Sequence, residues 1–213
     1  MADAPVVAVR GEAYREVAPE LARFTVTAVA RDRDRETTLT RLAERAAAVR
    51  ALLDAAEPAV ERRETGQVHV RPVTKRSGDR VVAYQGSVST TVTTTDFTAL
   101  GDLMLRLADQ EQVEVAGPVW SLRPDSPAYR EVRQAAIADA LVRAREYAEA
   151  LGARVIALRE LSDTGMSAGP PMMVKAAYAR SGELALELEL DPAPQPVQAA
   201  VEARFTISEP VLG

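Results

Sequence analysis

The sequence predicts an α+β protein: an antiparallel sheet with a βαββαβ-like core, one long additional helix and extra terminal strands. Three observations predict it. Residues 22–30 alternate apolar and polar with a period of two, as a half-buried strand does. Residues 127–151 place apolar side chains at steps of three and four, as an amphipathic helix does. Between residues 22 and 122 the two periods follow one another in the order β-α-β-β-α-β.

Taken in order, residues 6–17 read as a strand, and Pro19 breaks it. Ala22, Phe24, Val26, Ala28 and Ala30 then face one side of a second strand. A helix follows, with Asp34 or Thr37 as its cap and Leu39, Leu42, Ala46, Val49, Leu52 and Leu53 as its stripe; Pro58 stops it. Residues 67–75 and 81–94 form a hairpin across the turn signal Ser77-Gly78-Asp79. Asp96 caps a short helix striped by Phe97, Leu100, Met104 and Leu107. Residues 113–122 are strand, and Gly117-Pro118 marks a bulge or an edge. Ser126-Pro127 starts the longest helix, whose inward residues are predicted as Val132, Ala136, Ile137, Ala140, Leu141, Ala144, Tyr147, Ala148 and Leu151. Gly152 ends it, and 154–162 is strand. Residues 163–182 show no period and are expected to be a mobile loop. Residues 183–190 alternate Glu and Leu as a strand, and the last strand holds Val197, Ala199, Val201, Ala203, Phe205 and Ile207. The order from 22 to 122 is that of ferredoxin-like sheets.

Composition removes most chemistry. The 213 residues include no cysteine and one histidine. That leaves no disulfide, thiolate nucleophile, zinc ribbon or His-His metal pair. Twenty-six basic and 31 acidic side chains give a net charge of −5, and no stretch is purely basic. Nucleic-acid binding, which needs clustered positive charge, is not expected. No run is long and apolar enough for a transmembrane helix, and residues 1–10 carry no signal-peptide pattern. As written, the chain is expected in the cytoplasm, or in the periplasm or envelope if a leader has been removed.

Four groups remain as candidates. Gly165-Met166-Ser167-Ala168-Gly169 matches the G-x-S-x-G nucleophile elbow. The elbow needs a helix after it, whereas Pro170-Pro171 follows, and His69 lies upstream instead of downstream. A serine hydrolase is therefore the remote alternative. His69, between Val68 and Val70, reads as an exposed or half-buried strand residue. Glu183, Glu187, Glu189 and Asp191 offer oxygens to a hard cation, but they fit the wet face of a strand better. Met166, Met172 and Met173 suit an adaptable partner-contact loop better than a shared thioether site. No phosphate-cradling glycine motif is present. No catalytic, cofactor-binding or metal residue is assigned, and no cofactor is expected.

Several segments together resemble the SIMPL-domain family. They are Val9-Arg10-Gly11-Glu12-Ala13, Pro19-Glu20-Leu21-Ala22, Val68-His69-Val70-Arg71-Pro72, Tyr84 and Gly117-Pro118-Val119-Trp120-Ser121-Leu122. The strongest stretch runs from Ala135 to Ala140 and from Ala148 to Gly152, then from Leu158 to Ser162. The likeness covers nearly everything from Val6 to Ile207. Glu20 stands where the family usually has aspartate. The resemblance implies an α+β fold with no known enzymatic activity. Members are often exported to the periplasm or envelope, some assemble into ring- or channel-like oligomers, and a stress-tolerance role is suggested for some.

The expectation is one domain over 1–213, with a possible subdivision into 22–122 and a helix-and-strand extension of 6–17 plus 123–213. Its predicted role is that of a non-enzymatic, self-associating protein, stress-related or scaffolding. The alternative is a small-ligand or peptide binding module with residues 163–182 as its lid.

Overall fold

The computed structural model describes residues 4–75, 80–168 and 188–211, with backbone alone for 164–168. They form three helices and two antiparallel sheets in an α+β fold. The described residues divide into two compact units, one of 19–75, 80–122 and 188–193, the other of 4–18, 123–168 and 194–211.

The first unit contains β2 (Leu21–Asp32), α1 (Arg35–Ala55), β3 (Val60–Thr74), β4 (Val81–Thr94), α2 (Phe97–Ala108) and β5 (Val113–Ser121). Its strands run β3-β4-β2-β5, all neighbours antiparallel. This is the sheet order that a split βαβ arrangement requires. The alternation read in β2 is borne out: Ala22, Phe24, Val26, Ala28 and Ala30 are all buried. Phe24, Val26 and Val92 from the sheet pack with Val49 and Leu53 of α1 and with Leu100, Leu103, Met104 and Leu107 of α2. Phe97 meets Trp120 edge-on at 4.8 Å. Gly117-Pro118 lies on an edge strand, as predicted.

Both helices start at an aspartate. Asp96 accepts from the backbone N–H groups of Thr98 and Ala99, each at 3.1 Å. Asp34 accepts from the Thr37 N–H at 2.8 Å and the Thr37 hydroxyl at 2.9 Å. The Thr37 backbone bond first, and then its hydroxyl, hold the exposed Asp34 carboxyl below its ordinary value of 3.8. A carboxyl whose folded pKa is depressed contributes stability that is present above the unfolded pKa and lost as pH falls through the folded one. Asp34→Asn keeps a capping oxygen and removes the titration. Its Tm is expected to fall less steeply than that of the wild type below pH 3.8, as thermal melts across that range will show.

Several boundaries differ from the sequence reading. Leu39 is exposed, and Thr38 is buried in its place, donating its hydroxyl to the Asp34 carbonyl at 2.8 Å. β3 starts seven positions before Gln67, because the ladder with Thr90–Thr94 holds the charged stretch Glu61–Glu64 extended. Of the strand expected at 183–190, residues 183–187 lie outside the described residues, and Leu188 to Leu190 are not in a strand. Leu190 packs on the core between α1, α2 and the sheet. The Leu188 carbonyl lies so close to α2 that a Cβ at Gly101 would overlap it. At these three residues, tertiary docking has overridden the local alternation.

The second unit contains β1 (Val6–Val17), α3 (Pro127–Ala150), β6 (Val155–Ala168) and β7 (Gln195–Ile207), with sheet order β1-β7-β6. Ser126 caps α3, accepting from the Ala128 N–H at 3.4 Å, with Pro127 in the first turn. The helix lies over β1 and β7. Its buried stripe is Ala128, Val132, Ala136, Ala140, Ala144 and Ala148, so nearly every inward side chain is one methyl group. That narrow stripe brings α3 close to β1. A Cβ at Gly11 would overlap the Ala136 carbonyl oxygen and lie 2.6 Å from the Ala140 Cβ. Ile137, Tyr147 and Leu151, predicted inward, are exposed. A helix over two strands buries only a narrow strip, and the alanines fill it.

β6 takes up the first residues of the expected loop at 163–182, of which 169–182 lie outside the described residues. Residues 163–168 are strand, with Asp163 opposite Val201 and Met166 opposite Ala199. Ladder pairing with β7 supplies the order that the local sequence does not advertise.

Candidate functional site

The two edges of the β1-β7-β6 sheet are built differently. At the β1 edge, the Glu12 N–H donates to Asp139 Oδ2 at 2.9 Å, and Arg143 holds the same carboxylate at 2.9 Å. Arg15 pairs with Glu131, a second tie from β1 to α3. Helix α3 therefore takes up an edge donor of β1.

At the β6 edge, α3 barely reaches the sheet. Ile156, Leu158 and Leu161 are 59 %, 54 % and 44 % exposed. Leu158 pairs with Phe205 and Leu161 with Ala203, and both partners are buried. Directly opposed residues share a face, so both leucines lie on the face that α3 covers over β1 and β7. In a regular strand, residues three apart point to opposite faces. The ladder is irregular between Leu158 and Glu160, and the extra residue there puts the two leucines on one side. Glu160 pairs with Arg204 at 3.5 Å, with both side chains mostly exposed. Among the described residues β6 ends the sheet, leaving a sheet edge with apolar side chains in solvent.

The predicted candidates do not converge. Ser167 sits in β6 opposite Gln198, inside a paired strand instead of at a strand-to-helix turn. Gly169, Met172 and Met173 lie outside the described residues, as do Glu183 and Glu187. Met166 is in β6. Glu189 and Asp191 are exposed. His69 is exposed on β3, its Nε2 at 2.9 Å from Gln67 Oε1. Among the described residues, no three His, Cys, Asp or Glu side chains group to hold a metal ion.

Elsewhere the charged groups tie the fold together. Arg45 is one enclosed example, with its side chain 19 % exposed. It donates to the Val29 carbonyl at 2.9 Å and to Glu111 Oε1 at 2.9 Å, joining α1, β2 and the turn before β5. Arg41, Glu44 and Gln110 border it in a shallow depression. The Tyr14 hydroxyl is raised above its usual value, chiefly by donating to Glu16 Oε1 at 2.8 Å, and it stands in solvent.

The exposed leucines escaped the sequence reading because leucine in a strand signals core. A usable signal was present: residues 155–158 are apolar at odd and even positions alike, which no one-sided strand needs. No described helix is long and apolar enough to cross a membrane.

The sequence profile of the SIMPL family, described as a protein of unknown function (DUF541), matches residues 7–205. No curated protein matches the chain. Among solved structures, a hydantoinase/carbamoylase family amidase from Burkholderia ambifaria is 15 % identical over 57 % of this chain and 34 % of its own, with a TM-score of 0.33. A second such amidase, from Burkholderia phymatum, is 14 % identical over 60 % of this chain and 36 % of its own, with a TM-score of 0.31. An unknown protein from Galdieria sulphuraria is 12 % identical over 88 % of this chain and 84 % of its own, with a TM-score of 0.25. The chain spans about a third of the length of the two amidases. At these TM-scores, the likeness carries no argument about activity.

Proposed function

The chain belongs to the SIMPL family, and from that premise we propose that it acts by contact instead of by catalysis, as a self-associating protein with a scaffolding or stress-related role. The observation that carries this reading is the set of three exposed apolar side chains on one edge strand, β6: Ile156, Leu158 and Leu161. Apolar side chains gathered at a sheet edge mark a surface that gains by being covered.

Light scattering after size exclusion tests the reading. The expected mass is a multiple of 22.9 kDa that persists on dilution. A clean monomer across a wide concentration range would sink it.

A further inference from the structure

We infer that β6 pairs with β6 of a second copy, antiparallel, about a two-fold axis passing between Arg159 and Glu160. The inference rests on the self-association reading and names its interface.

The order Leu158-Arg159-Glu160-Leu161 reads the same in both directions, with the charge inverted at its centre. In an antiparallel pair about that axis, Leu158 faces Leu161 of the second copy, and Arg159 faces its Glu160. Each contact occurs twice, because an isologous interface repeats every pair. Two leucine pairs and two opposite-charge pairs then meet across the seam.

The bulge makes this register possible. A two-fold axis normal to the sheet keeps each face on its own side, so paired residues must share a face. Leu158 and Leu161 are an odd number of positions apart and would fail this in a regular strand. The irregularity between Leu158 and Glu160 puts both on the face of Phe205 and Ala203. A bulge would ordinarily spoil an edge for pairing. Against a strand bearing the same bulge in the mirrored position, it fits.

The other edge of the sheet is a poor alternative, since Asp139 occupies the Glu12 N–H at β1. Pairing at β6 joins the strands as β1-β7-β6-β6-β7-β1, with both copies of α3 on one face. The leucines that α3 leaves uncovered in one copy are covered by those of the other. Strand addition at a free edge supplies affinity through main-chain hydrogen bonds, and the facing side chains set the register.

Charge reversal tests the register by sedimentation equilibrium. Arg159→Glu puts two carboxylates opposite each other at both symmetric positions, and Glu160→Arg does the same with two guanidiniums. Each single variant is expected to raise the dimer Kd about tenfold or more. The double variant Arg159→Glu/Glu160→Arg restores opposite charges and is expected within a few-fold of the wild type. Leu158→Glu, which leaves the charge pair intact, is expected to weaken association as the single reversals do. The side chains at 158–161 are exposed, so circular dichroism should report wild-type folding for all four. A wild type that stays monomeric to about 100 μM overturns self-association itself, and this interface with it. A wild type that associates, with all four variants associating equally tightly, overturns the β6 interface alone. A double variant no tighter than the singles overturns the register.

Discussion

Gly11→Val is expected to abolish the packing of α3 on the β1-β7-β6 sheet. Even the smaller change Gly11→Ala is expected to cost about 3 kcal/mol or more, at the upper end of overpacking effects. The obstruction is backbone: the added Cβ would overlap the Ala136 carbonyl oxygen. A side chain can swing away from a new methyl group, but a helical carbonyl cannot without shifting the helix. For the same reason, Ala140→Gly should not rescue Gly11→Ala, although Ala140 Cβ also lies 2.6 Å from the new atom. Urea unfolding followed by far-UV circular dichroism reads both results. A Gly11→Ala variant within about 1 kcal/mol of wild type would show that α3 does not sit this close to β1.

Phe24→Ala is expected to cost about 3–5 kcal/mol, the usual range for emptying a buried phenylalanine site. Phe24 is 1 % exposed and lies among Val26, Val92, Val49, Leu53 and the α2 leucines, so both helices and the central strand line the space it vacates. Phe24→Leu keeps most of the volume and should cost less than about 1.5 kcal/mol. Trp120, the single tryptophan, packs against this same cluster, so its fluorescence reports the unit directly. An alanine variant with a near-wild-type unfolding midpoint would remove Phe24 from the centre of the core.

Much of the architecture was legible in the residues. The alternation from Ala22 to Ala30 named the buried face of β2. Asp34 or Thr37, Asp96 and Ser126-Pro127 marked three helix starts, the first of which the structure places at Asp34. The βαββαβ order from 22 to 122 was readable, and with it the β3-β4-β2-β5 sheet. What was not legible depends on partners distant in sequence. Glu61 to Glu64 look like a solvated charge run until β4 pairs with them. Gly165 to Ala168 look like loop until β7 does. Leu39, Ile137 and Tyr147 fit their helical stripes by period, yet each protein face is narrower than the stripe, so Thr38 and the alanines of α3 take the interior. The candidate interface was hidden for a related reason. Leu158 and Leu161 look like core by type, and only the position of β6 at the edge of the sheet shows them to be surface.

The pairing of β1 with β7 sets a timetable for synthesis. Val6 pairs with Thr206 and Val17 with Gln195, so the partners are 178 to 200 residues apart. β1 leaves the ribosome before the other described strands, and its neighbour β7 after them. At about 5–20 residues per second, it waits about 10–40 s with neither edge paired. Throughout that interval, β1 has to be kept from the wrong partner. Its alternate exposed positions, Arg10, Glu12 and Glu16, put charge along the waiting ribbon, the usual means by which an unpaired strand discourages casual addition.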